Sequence, residues 1–322
     1  MARKLRLEAE SGLYHIINRG NYRADIFRSD RAKRAFLKCL DEACEKTGWR
    51  VCAWCLMPNH YHLAIETPRP NLMEGMRWLQ STFSMRFNRL RKEHGHLFQG
   101  RYKSIIVDSD SLGALCHYIH LNPVRAKSCT VAALSHWEWS SFNWLCQPKS
   151  RAKWYSAEPA LAHAGRLSDS ARGRTKYIKY LGRLSEDDAA QKAMNFEKMS
   201  KGWAFGSKNF KKTLIAEHKA AALALKRGNR DEDDLRQQLF DETLTQLLQK
   251  VGKRKSDLAE EGKSVSWKVA VGAAMKQKTT VTNRWLGENL HLGNMHEVSR
   301  KISRWLRWPE GNFVRKLSLS LP

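Results

Sequence analysis

The chain has 322 residues, 42% of them hydrophobic, and a formal net charge of +25 at pH 7. That length leaves room for two domains with real cores, and no stretch approaches the 18 apolar residues of a membrane-spanning helix. The charge excludes a basic partner and points to a polyanion, nucleic acid first.

The first residues, MARKLRLEAESG, lack the apolar stretch of a signal peptide, and a cytoplasmic, nucleoid-associated setting is expected. "YHIINRG" (Tyr14 to Gly20) reads as a strand closed by glycine. "DRAKRAFLKCLDEACEKTG" follows as a helix, with Asp30 as its N-cap, Phe36, Leu40, Ala43 and Thr47 on one face, and Gly48 as its stop. "WRVCAWCLMP" is apolar on both faces, as a central strand should be. It contains a CxxC, Cys52 and Cys55, with no second such pair. Seven scattered cysteines form no disulfide framework, so buried thiols are expected rather than zinc. "HYHLAIET" alternates, with Tyr61, Leu63 and Ile65 on one side and His60, His62 and Glu66 on the other. Leu72, Met76, Leu79, Phe83 and Leu90 mark a second helix, "GRYKSIIVDS" a fourth strand, and "SLGALCHYIHLNPV" a third helix closed by Pro123.

The order β-α-β-β-α-β, then α, predicts an α+β fold of the ferredoxin-like kind. Its two helices cover one face of an antiparallel sheet. His60 and His62 face the open side, where the third helix can dock. Residues 1–145 make this unit. Residues 146–200 begin with the basic "QPKSRAK" and read as a linker with connecting helices. Residues 201–322 read as a helical domain without strand alternation, including the acid-capped "DEDDLRQQLFDETLTQLLQK". Near the end, "TVTNRWLGENLHLGNMHEVSRKISRWLRW" reads as helix, glycine turn, helix, with Met295 to Trp305 as the second, in the manner of a helix-turn-helix. Basic charge runs through the whole chain: 22 Lys and Arg against 13 Asp and Glu before residue 146, and 35 against 19 after it.

Two histidines at i and i+2 of a strand project from one face and can grip one metal ion; the alternative is two unrelated surface histidines. Tyr118 and Asn122 are four residues apart in the third helix and share a face. A core tyrosine is the alternative there, and Pro123 is expected to push Asn122 away from helical dihedrals. Trp137, Trp139, Trp144 and Trp154 read as core that packs the following chain down, with base stacking as the other option.

Four stretches, "YHIINRGNYRADIF", "MPNHYHLAI", "GHLFQGRYKSIIV" and "YIHLNPVRA", occur in order within about residues 10–145. Together they resemble the HUH single-strand endonucleases and, within them, the REP-associated tyrosine transposases, relatives of the single-tyrosine insertion-sequence transposases. Tyr61 departs from the aliphatic residue between the two histidines. The resemblance implies Tyr118 as nucleophile and His60, His62 and Asn122 as ligands of a divalent metal. Neutral nitrogen and oxygen donors suit Mg or Mn. It further implies cleavage of single-stranded DNA near hairpin-forming palindromic repeats through a 5′-phosphotyrosine link. Phosphate contacts are expected from Arg19, Asn21, Arg23, Arg101, Lys103, Arg125 and Lys127, which flank the motifs, and from Arg300 and Arg304 on the last long helix. His117 and His120 point off the Tyr118 face and read as structural or DNA-facing. Competing readings are a DNA-binding regulator without catalysis and a rolling-circle initiator; no GxxxxGK[ST] phosphate loop occurs to support a helicase-bearing version. Monomer and homodimer both stay open.

Overall fold

The computed structural model of the chain describes residues 8–217 and 230–321. The first seven residues and the acidic side chains 231–234, read as a helix cap, lie outside the described residues. No helix among the described residues is long and apolar enough to cross a membrane. The chain divides into two compact units, Arg6–Thr213 and a second beginning at Leu214.

In the first unit the expected order is present: β1 (Gly12–Arg19), α1 (Asp30–Thr47), β2 (Arg50–Leu56), β3 (His60–Thr67), α2 (Leu72–Arg91), β4 (Lys103–Val107) and then α3 (Ser109–His120). The strands lie in the order β2-β3-β1-β4 and each neighbouring pair is antiparallel, the ferredoxin-like arrangement. The start of α1 differs by one residue from the expectation. Ser29, not Asp30, is the cap, its hydroxyl accepting from the Ala32 N–H. Both residues are good caps, and Asp30 pairs instead with Lys33 at 3.1 Å. Gly48 ends the helix as expected, at φ +73°, where other residues are strained.

Alternation sorts the two faces of the sheet. Tyr14 lies opposite Ile65, and Ile16 opposite Leu63; all four are fully buried. On the same face the Tyr61 ring meets Phe36 of α1 at 4.8 Å, and its hydroxyl accepts from Gln80 of α2. Each such side chain contributes roughly 1.5–3 kcal/mol on burial. A one-residue slip would turn them all to the other face, so this set fixes the register that also sets the histidines. The CxxC thiols are buried, and burial pushes Cys52 up to about 12 and Cys55 up as well.

Residues 146–200, expected to be a linker with connecting helices, do form helices but are part of this unit. The backbone of residues 139–140 and 154–156 bonds to the free edge of β2: Leu56 N–H to Trp139 O, Val51 N–H to Trp154 O, and Ser156 N–H to Val51 O. Helices α5 (Ser141–Cys146), α6 (Glu158–His163), α7 (Ala171–Glu186) and α8 (Asp188–Ala193) follow α4 (Asn122–Arg125). A fifth strand, β5 (Ala204–Phe205), adds parallel to β4 in a region read as wholly helical. Both sheet edges are thereby covered. Arg151, in the basic run that suggested a solvated linker, donates to the carbonyls of Trp144 and Leu145 and pairs with Asp169. Of the four tryptophans expected to pack the chain down, Trp144 and Trp154 do so, Trp144 lying 4.9 Å from Trp54 and 5.3 Å from Trp154, while Trp137 and Trp139 are only half-buried and Trp139 carries Lys33 on its ring at 4.5 Å.

The second unit is helical over its described residues. Helix Ser266–Lys278 is buried from Trp267 to Met275 and packs against Arg230–Lys250 and Met295–Arg307. The expected helix pair is present as Asn283–Asn289 and Met295–Arg307, the latter opened by a capping box of Asn294 and Glu297. A Cβ at Gly287 would lie 2.2 Å from the Gly293 carbonyl oxygen, so the corner between the two helices closes only over glycine.

Candidate active site

His60 and His62 open β3 and face away from α1 and α2. Their cross-strand partners on β1 are Arg19 and Ile17, and Lys103 of β4 lies opposite Ile17. Residues directly opposite share a face, so Arg19 and Lys103 stand on the same side of the sheet as both imidazoles. Onto that side α3 docks, against β1, β2 and β3. The Tyr118 ring centre lies 5.8 Å from that of His62, edge-on. The Asn122 amide donates to His62 Nε2 at 3.4 Å. The two strand histidines, the tyrosine and the amide, chosen from the sequence, thus meet. Asn122 is not displaced by Pro123. A break at Leu121 separates α3 from α4, and Asn122 opens α4 with the backbone still turning as a helix. Pro123 sits in the first turn, where its missing N–H costs nothing.

The opposite side of α3 holds the tyrosine in this orientation. His117 and His120 both reach the Tyr177 hydroxyl of α7, each at 2.9 Å. His120 Nε2 also bonds the Ser141 hydroxyl, and His117 Nε2 bonds His163. Both histidines are fully buried and so are structural, one of the two roles expected for them.

Two partners fix the strand histidines. The Asn59 side chain accepts from His60 Nδ1 at 2.7 Å, while its amide N–H donates to the Arg23 carbonyl. His15 of β1 meets His62 Nδ1 through its Nε2 at 2.9 Å, and its Nδ1 donates to the Met199 carbonyl at 2.8 Å. Neither His15 nor Asn59 was picked out from the sequence, and Phe196, edge-on to Tyr118 at 5.6 Å, was not either. Period-two spacing puts His15 on the face of Ile17 and Arg19, a usable signal once the β1–β3 register is known.

The expected phosphate contacts fall into three groups. Arg19, Lys103 and Arg125 surround the site, the Arg125 guanidinium lying 4.8 Å from the centre of the Tyr118 ring. Asn21 and Arg23 occupy the turn after β1 that Asn59 ties to His60. Arg101 and Lys127 are exposed on loops of the same unit, and Arg300 and Arg304 are exposed on helix Met295–Arg307 of the second. Among the described residues no three His, Cys, Asp or Glu side chains gather as a metal cluster. The available donors are therefore two imidazoles and an amide.

Burial disfavours the charged form of the histidines in and behind the site. It lowers His15 to about 4, with Lys103 adding to the effect, His60 to about 4, with Arg19 adding to it, and His120 to about 3. His62 is held well below its ordinary value by burial, then by His15, His60, Arg125 and Arg19. Unfolded histidine takes its proton near ~6.5. The stability these groups contribute is complete above that pH and is lost as pH falls from 6.5 toward 4. For His15 and His120, both fully buried, the loss at pH 5 is about 2 kcal/mol each. Thermal melts of the full chain are expected to show a clear drop in Tm between pH 7.5 and pH 5. An unchanged Tm would mean that these rings are not buried neutral.

Residues 9–122 match the family model described as "Transposase IS200 like". None of the curated proteins matches the chain. Among solved structures the chain is similar to a REP-associated tyrosine transposase bound to a REP hairpin, at 15% identity and a TM-score of 0.40, over 48% of this chain and 92% of that one.

Proposed function

We propose, on the premise that residues 9–122 form an IS200-like transposase domain, that this chain is a metal-dependent nickase and strand transferase acting on single-stranded DNA. The observation that carries this reading is the meeting of Tyr118 and Asn122 with His62 across an α3–β3 contact. In the reaction the Tyr118 oxygen attacks phosphorus in line, a tyrosine O–P bond forms and the bond to the 3′-oxygen breaks. The phenolic proton passes to solvent and the departing 3′-oxygen takes one up. The bond energy stays in the 5′-phosphotyrosine, so a second 3′-OH can reverse the step and join strands without ATP. That is the chemistry of transposition and DNA recombination.

The residues present fit a divalent metal. His60 has its Nδ1 engaged and its Nε2 left for a ligand, whereas His62, held at Nδ1 by His15, accepts at Nε2 from the Asn122 amide N–H; turning that amide over would free the His62 lone pair and offer the amide oxygen beside it. Neutral N and O donors of this kind suit Mg or Mn with water completing the shell. A divalent cation held by these residues would supply Lewis-acid polarisation of the phosphate. Arg19, Lys103 and Arg125 bind the flanking phosphates, which sets affinity and salt dependence rather than sequence choice. The four sequence stretches shared with REP-associated tyrosine transposases support a hairpin-forming repeat as substrate.

A hairpin-bearing single-stranded oligonucleotide, incubated with the chain and Mn or Mg, is expected to give a protein–DNA adduct that survives denaturation. EDTA is expected to remove it. An undiminished adduct in EDTA would take the metal out of the mechanism. A second reading, a DNA-binding regulator, is favoured by the glycine-closed helix pair and by Arg300 and Arg304, exposed on its second helix. If no hairpin substrate forms an adduct while duplex DNA is bound, that reading takes over.

A further inference from the structure

The hydrogen bonds behind His62 form a chain whose direction is forced at one end. A carbonyl oxygen only accepts, so His15 Nδ1 carries the proton it gives to Met199 O. A neutral imidazole has one N–H, which leaves His15 Nε2 as an acceptor. His62 Nδ1 lies 2.9 Å from that atom and must therefore be the protonated nitrogen of His62. Its Nε2 is left with a lone pair, and Asn122 donates to that atom, as the same direction requires. The four groups from Met199 to Asn122 read one way only.

From this geometry we infer that His15 is a positioning residue for the transferase site: with the Met199 carbonyl it locks His62 as the Nδ1–H tautomer and turns the Nε2 lone pair toward Tyr118 and Asn122. The inference rests on the proposed function for its purpose, since a metal ligand needs that lone pair, but the tautomer is a property of the chain alone. Metal-bound histidines are commonly oriented by a hydrogen bond from their other nitrogen, and loss of that partner costs 10- to 100-fold in metal affinity. His60 has a parallel arrangement through Asn59 and the Arg23 carbonyl. The His62 arm is distinct because its terminal acceptor is a backbone atom 137 residues away in sequence, between α8 and β5. The site is thus completed by a segment that lies beyond residues 9–122.

The test is long-range 1H–15N correlation on the full, metal-free chain with 15N-labelled histidine at pH 7.5. His15 and His62 are expected as neutral Nδ1–H tautomers; His62 found as the Nε2–H form, or as imidazolium, overturns the inference. Mn binding, followed by electron paramagnetic resonance, gives the second measurement. His15→Leu is expected to release the tautomer and weaken Mn affinity about 10- to 100-fold. His15→Gln, whose amide can both accept from His62 and donate toward Met199, is expected to restore both. A folded His15→Leu chain that keeps the tautomer and the Mn affinity also overturns it. If the wild-type chain shows the Nδ1–H tautomer yet binds no Mn, the relay stands and the metal part of the proposed function fails.

Discussion

Tyr118→Phe is expected to abolish the covalent protein–DNA adduct, a loss of about four orders of magnitude or more, the scale reached when a covalent catalyst loses its nucleophile. Binding of the same hairpin oligonucleotide is expected to stay close to wild type. The substitution removes one oxygen and no packing. The ring still meets His15 at 5.9 Å, His62 at 5.8 Å and Phe196 at 5.6 Å, and Arg125 still lies over its face. The clamp that orients α3 runs through His117, His120 and Tyr177 on the other side of the helix, so it is untouched. Denaturing gels with an end-labelled strand read the adduct, and fluorescence anisotropy reads the binding. An adduct of wild-type yield in the Phe variant would show that a different nucleophile does the chemistry. Loss of binding together with the adduct would instead give Tyr118 a part in holding the strand.

The alternating run His60 to Thr67 made the key placement legible before any coordinates. Period two separates Tyr61, Leu63 and Ile65 from the histidines, and helical spacing pairs Tyr118 with Asn122. Those two periodicities give the ferredoxin-like order and the faces on which the four residues stand; the roles assigned to them rest on the family resemblance. What they do not contain is pairing. His15 stands in an apolar run, and only the β1–β3 register puts it one cross-strand pair from His62. Met199 contributes a carbonyl, which no side chain announces. Residues 146–200, read as a linker with connecting helices, belong instead to the first unit, and the sequence hid this for a related reason. Their helices α6 and α8 have six residues each, and the following β5 has two, too short to show a period. The charge of "QPKSRAK" looked like solvated chain, whereas Arg151 is spent on carbonyls and Asp169.

Where the chain can be cut follows from that correction. A chain ending at residue 145 is expected to lose the transferase activity outright and to fold poorly. It would lack Tyr177, which clamps α3; Met199, which holds His15; and Phe196, which packs on Tyr118. It would also expose the core faces that Leu161, Leu181 and Leu184 now cover. At roughly 1.5–3 kcal/mol for each large apolar side chain, these losses are comparable with the whole 5–15 kcal/mol by which a domain is stable. A chain ending at Thr213 is expected to fold and to form the adduct on a short hairpin substrate, because the site and both covered sheet edges lie within Arg6–Thr213. Circular dichroism with thermal melting reports folding of each truncation, and adduct yield reports chemistry. Wild-type adduct from the 145-residue chain would mean that Tyr177, Met199 and Phe196 are incidental to the site. A folded 213-residue chain with no activity would move part of the chemistry into the helical unit. Equal DNA affinity with and without that unit would remove Arg300 and Arg304 from the phosphate contacts.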